Sequence, residues 1–212
     1  MEDKKNHIIK AALRVFAQRG YSPVSLEEIA AEADLAKGTL YLYFKGKEDL
    51  FGQTVLYVIE NIEAALNAGL EGLRPPFATL QAIAQVMVRT FRENPDFFGL
   101  FFLIHDPNLL SSRAPLFRTL QERRLRFLEF EKNTLNRAKA RGMIRQEVDA
   151  LEAAYLFDGL VSSTVMRLKF RDELEEFDSE KAVSFLMELF LRGIATAGSG
   201  RCSRRRKHES NG

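Results

Sequence analysis

The stretch from Ser25 to Lys47, SLEEIAAEADLAKGTLYLYFKGK, limits what this chain can become more than any other. Leu26, Ile29, Ala30 and Ala33 recur at helical spacing and give a first short helix one apolar face. Ser25 with Glu28 three residues later forms a capping box, in which the hydroxyl and the carboxylate each satisfy a free backbone N–H. Asp34 stands at the turn, a residue type that tolerates left-handed backbone. A second helix of about two turns is expected over Lys37–Phe44. Leu40 and Phe44 would face the core, while Lys37, Thr39, Tyr41 and Tyr43 point elsewhere. Lys47 opens a third, longer helix.

Two short helices joined by a tight turn make a helix-turn-helix, whose second helix enters the DNA major groove. The residue types suit that task. Lysine ammonium groups and the hydroxyls of tyrosine and threonine match phosphate oxygens and base edges, and Gly38 permits close backbone approach. The charge of Lys47 and the free N–H groups of its helix start can hold one phosphate together. A small helical subdomain with solvated polar faces would show the same patterning, so patterning alone leaves both readings open.

The residues themselves go further. AKGTLYLYFKGKEDLF, residues 36–51, resembles the recognition-helix signature of the TetR family of one-component transcriptional regulators. With the preceding helix pair, the resemblance covers roughly residues 6–52. It implies an all-α fold of about nine helices, in which a three-helix DNA-binding domain (1–47) is joined by a long helix to a ligand-binding and dimerising helical domain (48–198). It also implies repression relieved by a small molecule. Carried over by position, Ser25, Lys37, Gly38, Thr39, Tyr41, Tyr43 and Lys47 fall where family members touch DNA, with Thr39, Gly38 and Leu42 nearest the bases. Two positions depart from the family pattern. Asp34 replaces the usual turn glycine, and Ala36 stands where a serine or threonine often caps the recognition helix.

Net charge is only +2, but its distribution is uneven. Residues 1–47 hold eight Lys and Arg against six Asp and Glu, and the middle, 48–198, is mildly acidic at eighteen against twenty-two. Residues 199–212, with the run Arg204-Arg205-Arg206-Lys207, form a basic tail that composition marks as disordered. Positive ends around an acidic body suit a protein that offers part of its surface to nucleic acid. The longest apolar run, Phe97 to Ile104, is too short to span a bilayer, and no secretory signal opens the chain. Cys202 is the only cysteine, which leaves no intrachain disulfide or cysteine-based metal site. The expected place of action is the cytoplasm, with no membrane partner.

Along the chain, residues 1–5 are expected to be loose. An amphipathic helix then runs from Asn6 to a stop at Gly20, with Tyr21 packed in the core. The long fourth helix is expected over Lys47–Leu73 and is ended by Pro75-Pro76. Another follows over 77–93, and Asn94-Pro95 reads as the N-cap of the next. FFGLFFLIH, 97–105, is apolar almost all round, so it is either a central core helix or a cavity wall. A long helix over 112–141 carries arginines that form a solvated face and closes at Gly142, with Leu125 among its inward candidates. Asp149 caps the first of two last helices, about 150–171 and 179–197. Their small residues and broad apolar stripe suit pairing with a second copy as a four-helix bundle, which makes a homodimer the expected assembly.

Candidate cavity walls are Met87, Phe91, Phe98, Phe101, Phe102, His105, Phe127, Phe130 and Tyr155, although plain core is the commoner role for each. With seventeen phenylalanines and no tryptophan, the expected effector is small and hydrophobic. His105 beside Asp106 makes a poor metal site, so neither metal nor cofactor is expected. No nucleophile elbow, phosphate loop, HExxH or paired cysteine is present, and three scattered histidines build no triad. A helical enzyme or lipid-binding protein without DNA binding stays open as the second reading. The intact segment from Lys37 to Lys47 speaks for the regulator.

Overall fold

In the computed structural model the described residues are 2–72, 75–103, 114–169 and 178–196; within the helices, the side chains of 2, 101–103, 114, 116, 117, 168 and 169 fall outside that description. Among the described residues there are nine helices and no strand. They are α1 (Glu2–Arg19), α2 (Leu26–Glu32), α3 (Lys37–Tyr41), α4 (Lys47–Gly69), α5 (Pro76–Glu93), α6 (Asp96–Leu103), α7 (Ala114–Ala140), α8 (Ala150–Lys169) and α9 (Ser179–Ile194).

α1 begins at Glu2 and is not preceded by a loose segment as far as Asn6. Asp3 in its first turn suits the positive end of the helix dipole. The helix stops at Gly20, whose φ of +77° a side chain would strain. Its buried face of Ile8, Ile9, Ala12, Leu13 and Phe16 meets Leu26, Ile29 and Ala30 of α2 and Leu50 and Phe51 of α4 in one apolar cluster. Tyr21 packs where expected, with its ring 4.8 Å from that of Phe51 and 5.9 Å from that of Phe16.

α4 ends at Gly69, short of the expected Leu73. A Cβ built on Gly69 would lie 2.3 Å from Val86 Cγ2, so α5 crosses α4 closely where α4 stops. Gly72, at φ +87°, then turns the chain before the proline pair. Asn94 also differs from expectation. Its backbone N–H and side-chain amide both donate to the Thr90 carbonyl, at 3.0 and 2.9 Å, so it closes α5 and does not cap α6.

α6 packs against α1 and α4, with Phe97, Phe98 and Leu100 buried. Phe91 of α5 meets Phe98 at 5.0 Å between ring centroids. A Cβ on Gly99 would fall 2.3 Å from Cα and 2.6 Å from the carbonyl oxygen of Ala17. Only a glycine lets α6 approach the α1 backbone this closely.

α7 buries Leu120, Leu128, Leu135 and Ala138, while Leu125, at the edge of that stripe, is exposed and not inward as expected. The expected solvated arginine face is also partly tied down. Arg123 bonds Glu63 of α4 at 2.6 Å, and Arg124 bonds Asp158 of α8 at 3.0 Å. Surface pairs of this kind each add at most about 1 kcal/mol, so they steer packing more than they stabilise it. Asp149 caps α8 as expected, accepting from the N–H groups of Leu151 and Glu152. α9 stops at Ile194 because the next residues pair with the α7–α8 link. Arg145 N–H donates to the Ile194 carbonyl at 3.1 Å, and Thr196 N–H to the Met143 carbonyl at 3.1 Å.

Candidate nucleic-acid interface

Ser25 accepts the Glu28 N–H at 3.2 Å, and the Glu28 carboxylate accepts the Ser25 N–H at 2.7 Å, so the capping box forms in full. These two bonds close the start of α2 and are worth about 1 kcal/mol. The backbone N–H of Ser25 and the guanidinium of Arg19 hold the Glu28 carboxyl below the usual carboxylate range. Asp34 adopts φ +53°, the only described non-glycine residue with left-handed backbone, and so takes the place of a turn glycine.

α3 is shorter than the two turns expected, spanning only Lys37–Tyr41. Ala36 offers no side-chain cap at its start. At its end the N–H groups of Tyr43 and Phe44 both return to the Leu40 carbonyl, at 3.0 and 2.9 Å, which tightens the chain into a turn. Leu40 and Phe44 are buried and fasten this small element to the core. The opposite side is open: Lys37 and Gly38 are exposed, Tyr41 is 52% exposed and Leu42 80%. Thr39 and Tyr43 are half-buried.

Several of these groups already have partners. Lys37 pairs with Glu27 of α2, which raises the lysine pKa and lowers that of the glutamate, and its ammonium lies 5.9 Å from the Tyr41 ring centre. Lys47, half-buried at the start of α4, donates to the Ser22 carbonyl at 3.0 Å and covers the Tyr21 ring at 4.4 Å. Sequence reasoning missed these ties, as well as the 2.9 Å contact between His7 Nε2 and the Ala33 carbonyl. Lys37 and Tyr41 are one helical turn apart, but the other partners lie 10 to 26 positions apart and leave no periodic signal.

The family model for "Bacterial regulatory proteins, tetR family" matches residues 8–54, the segment that builds α1 to α3 and the start of α4. Residues 8–54 are a TetR-family N-terminal segment. Among its relatives, the uncharacterized HTH-type transcriptional regulator YerO of Bacillus subtilis is 28% identical over 89% of this chain, and the chain spans 63% of YerO's length. The fatty acid metabolism regulator protein of Bacillus subtilis is 27% identical over 90% of this chain and 95% of its own. Among solved structures, AibR in complex with isovaleryl coenzyme A and operator DNA superposes with a TM-score of 0.73. It covers 88% of this chain and 97% of AibR at 20% identity, a likeness of fold.

In the helical body that follows, the expected cavity walls do not come together as one set. Phe91 and Phe98 are buried in contact, and Met87 and Phe127 are half-buried against the same core. Phe130 and Tyr155 are instead exposed, at 40% and 45%, because they lie off the buried stripes of α7 and α8. The side chains of Phe101 and Phe102, and all of His105, lie outside the described residues, as does the basic tail. A crevice of about 430 Å³ opens between α4, α5 and α9, lined by Gln85, Arg89, Arg92 and Glu180 among others and by none of the expected wall residues. Among the described residues no group of acidic, histidine or cysteine side chains is arranged to hold a metal, and no helix is long and apolar enough to cross a membrane.

Proposed function

We propose that this protein is a ligand-responsive transcriptional repressor that binds a palindromic operator as a homodimer and is released by a small hydrophobic effector. The observation that carries the reading is α3 itself, anchored by Leu40 and Phe44 and presenting Lys37, Gly38, Tyr41 and Leu42 outward. Lys37, Tyr41, Tyr43 and Lys47 position the head on phosphates, and Ser25 supports α2 against the backbone. Thr39, Gly38 and Leu42 approach base edges, where the leucine meets a thymine methyl group.

The dimer forms through α8 and α9. Leu151, Tyr155 and Leu156 on α8, and Phe185 and Leu189 on α9, are exposed on the single chain, and an apolar face of this size needs a cover. Two copies then present their heads ~34–36 Å apart, one turn of DNA. The acidic helical body, residues 48–198, takes the effector among Met87, Phe91, Phe98 and Phe127. An acyl effector fits this lining, in keeping with the AibR complex and the fatty acid regulator. Effector and operator favour different separations of the two heads, so each weakens the other's binding. α6 transmits the change, because its contact with α1 at Gly99 leaves no slack. The protein carries out no chemistry and works in the cytoplasm.

Lys47→Ala is expected to weaken binding to every DNA sequence and to reduce the slope of log K against log salt by about one. A salt titration of wild type and variant on the same duplex checks this. An unchanged slope would restrict Lys47 to its ties with Ser22 and Tyr21.

A further inference from the structure

One group in the helical body is used by neither the fold nor the mechanism above. Glu131, in the middle of α7, is 1% exposed and is the one titratable side chain buried among the described residues. Its Oε2 has no hydrogen-bond partner among the described residues. The threonines buried on these helices do not supply one, since Thr134 donates to Phe130 and Thr164 to Leu160, each one turn back along its own helix. A buried polar atom without a protein partner costs stability and calls for a reason, a bound ligand being one.

We propose that Glu131 is the polar recognition point of the effector site, where its protonated carboxyl donates a hydrogen bond to the carbonyl oxygen of an otherwise apolar ester, thioester or ketone. Glu131 stands one turn from Phe127 and one turn from Leu135, on the face of α7 that packs toward α5 and α8. The charged group facing it from α8 is Asp158, which is held by Arg124 of α7. α5 turns Ile83, Thr90 and Phe91 inward and leaves Arg89 and Arg92 exposed, so it brings no cation to the site. Burial first, and then the Asp158 charge against a smaller opposing effect of Arg124, push the carboxyl up to about 9. At neutral pH it is therefore an O–H donor in apolar surroundings, and a neutral acceptor completes it at the lowest cost. Glu131 does not line the crevice between α4, α5 and α9, so an effector that reaches it would have to part α5 from α7.

This inference rests on the effector-released repressor reading, and its test separates the two. Calorimetry would compare S-decanoyl-N-acetylcysteamine with decylamine on wild type, Glu131→Gln and Glu131→Leu. The thioester is expected to bind wild type and the glutamine variant, which keeps a donor, and to bind the leucine variant at least tenfold more weakly. Wild-type binding should fall as pH rises through about 9, whereas binding to Glu131→Gln should not. Equal thioester affinity for wild type and the leucine variant would overturn the proposal. So would absence of thioester binding, or preference for decylamine with release of one proton. If the leucine variant does not fold, the pH profiles of the other two proteins decide. Failure of wild type to bind operator DNA, with thioester binding intact, would instead sink the repressor reading and leave Glu131 standing.

Discussion

Gly99→Ala is expected to lower the melting temperature by roughly 2–8 °C and to weaken operator binding at the same time. The added methyl would sit 2.3 Å from the Cα of Ala17 and 2.6 Å from its carbonyl oxygen. Both are backbone atoms, so no side chain can swing aside to make room. Overpacking of this kind costs about 1–3 kcal/mol, and the better helix propensity of alanine returns at most about 1 kcal/mol. The alternative to paying that strain is for α6 to lift from α1, which tilts the DNA-reading head relative to the helical body. Calorimetric melting and operator titration on the same variant separate the two responses. A variant as stable as the parent, with unchanged operator affinity, would show that α6 and α1 do not meet in this way.

Glu131→Gln is expected to remove most of the pH dependence of stability above acidic pH. The folded carboxyl holds its proton up to about 9, against an ordinary value of 4.5. Between those values the unfolded chain has lost the proton and the folded chain retains it, so folding takes up one proton. Stability from this group is complete below pH 4.5 and falls as pH rises toward 9, by up to about 1.4 kcal/mol per pH unit. Glutamine cannot ionise, so the variant should gain on wild type steadily through that window, by up to about 5 kcal/mol between pH 4.5 and pH 8. Denaturant melts at pH 5, 6.5 and 8 measure the difference. Parallel curves for the two proteins would mean that Glu131 is solvated or paired in the folded state.

The reading head was legible in the sequence because each of its parts leaves a local signal. Ser25 and Glu28 sit at capping-box spacing, Asp34 is a residue type that accepts left-handed backbone, and Leu40 and Phe44 are one turn apart. The length of α3 was not legible. Ala36 gives no cap, and the closing turn depends on two N–H groups converging on Leu40, which apolar spacing does not encode. Asn94 was misassigned for a related reason: asparagine before proline reads as a helix start, while its side chain satisfies the helix behind it. The exposed positions of Phe130, Tyr155 and Leu125 depend on which faces of α7 and α8 meet other helices, and composition carries no such information. Glu131 did leave a trace. It falls one turn from both Phe127 and Leu135, on the inward stripe, but in the run FEKNT it looks like any solvated glutamate.

The most direct test of the whole account is a salt titration of this protein on the DNA upstream of its own gene, with an unrelated duplex of equal length beside it. Two protomers are expected per site, with log K falling linearly with log salt and at least about a thousandfold preference for the upstream DNA at physiological ionic strength. Equal affinity for the two duplexes, or binding that does not respond to salt, would contradict a reading head built on Lys37, Tyr41, Tyr43 and Lys47.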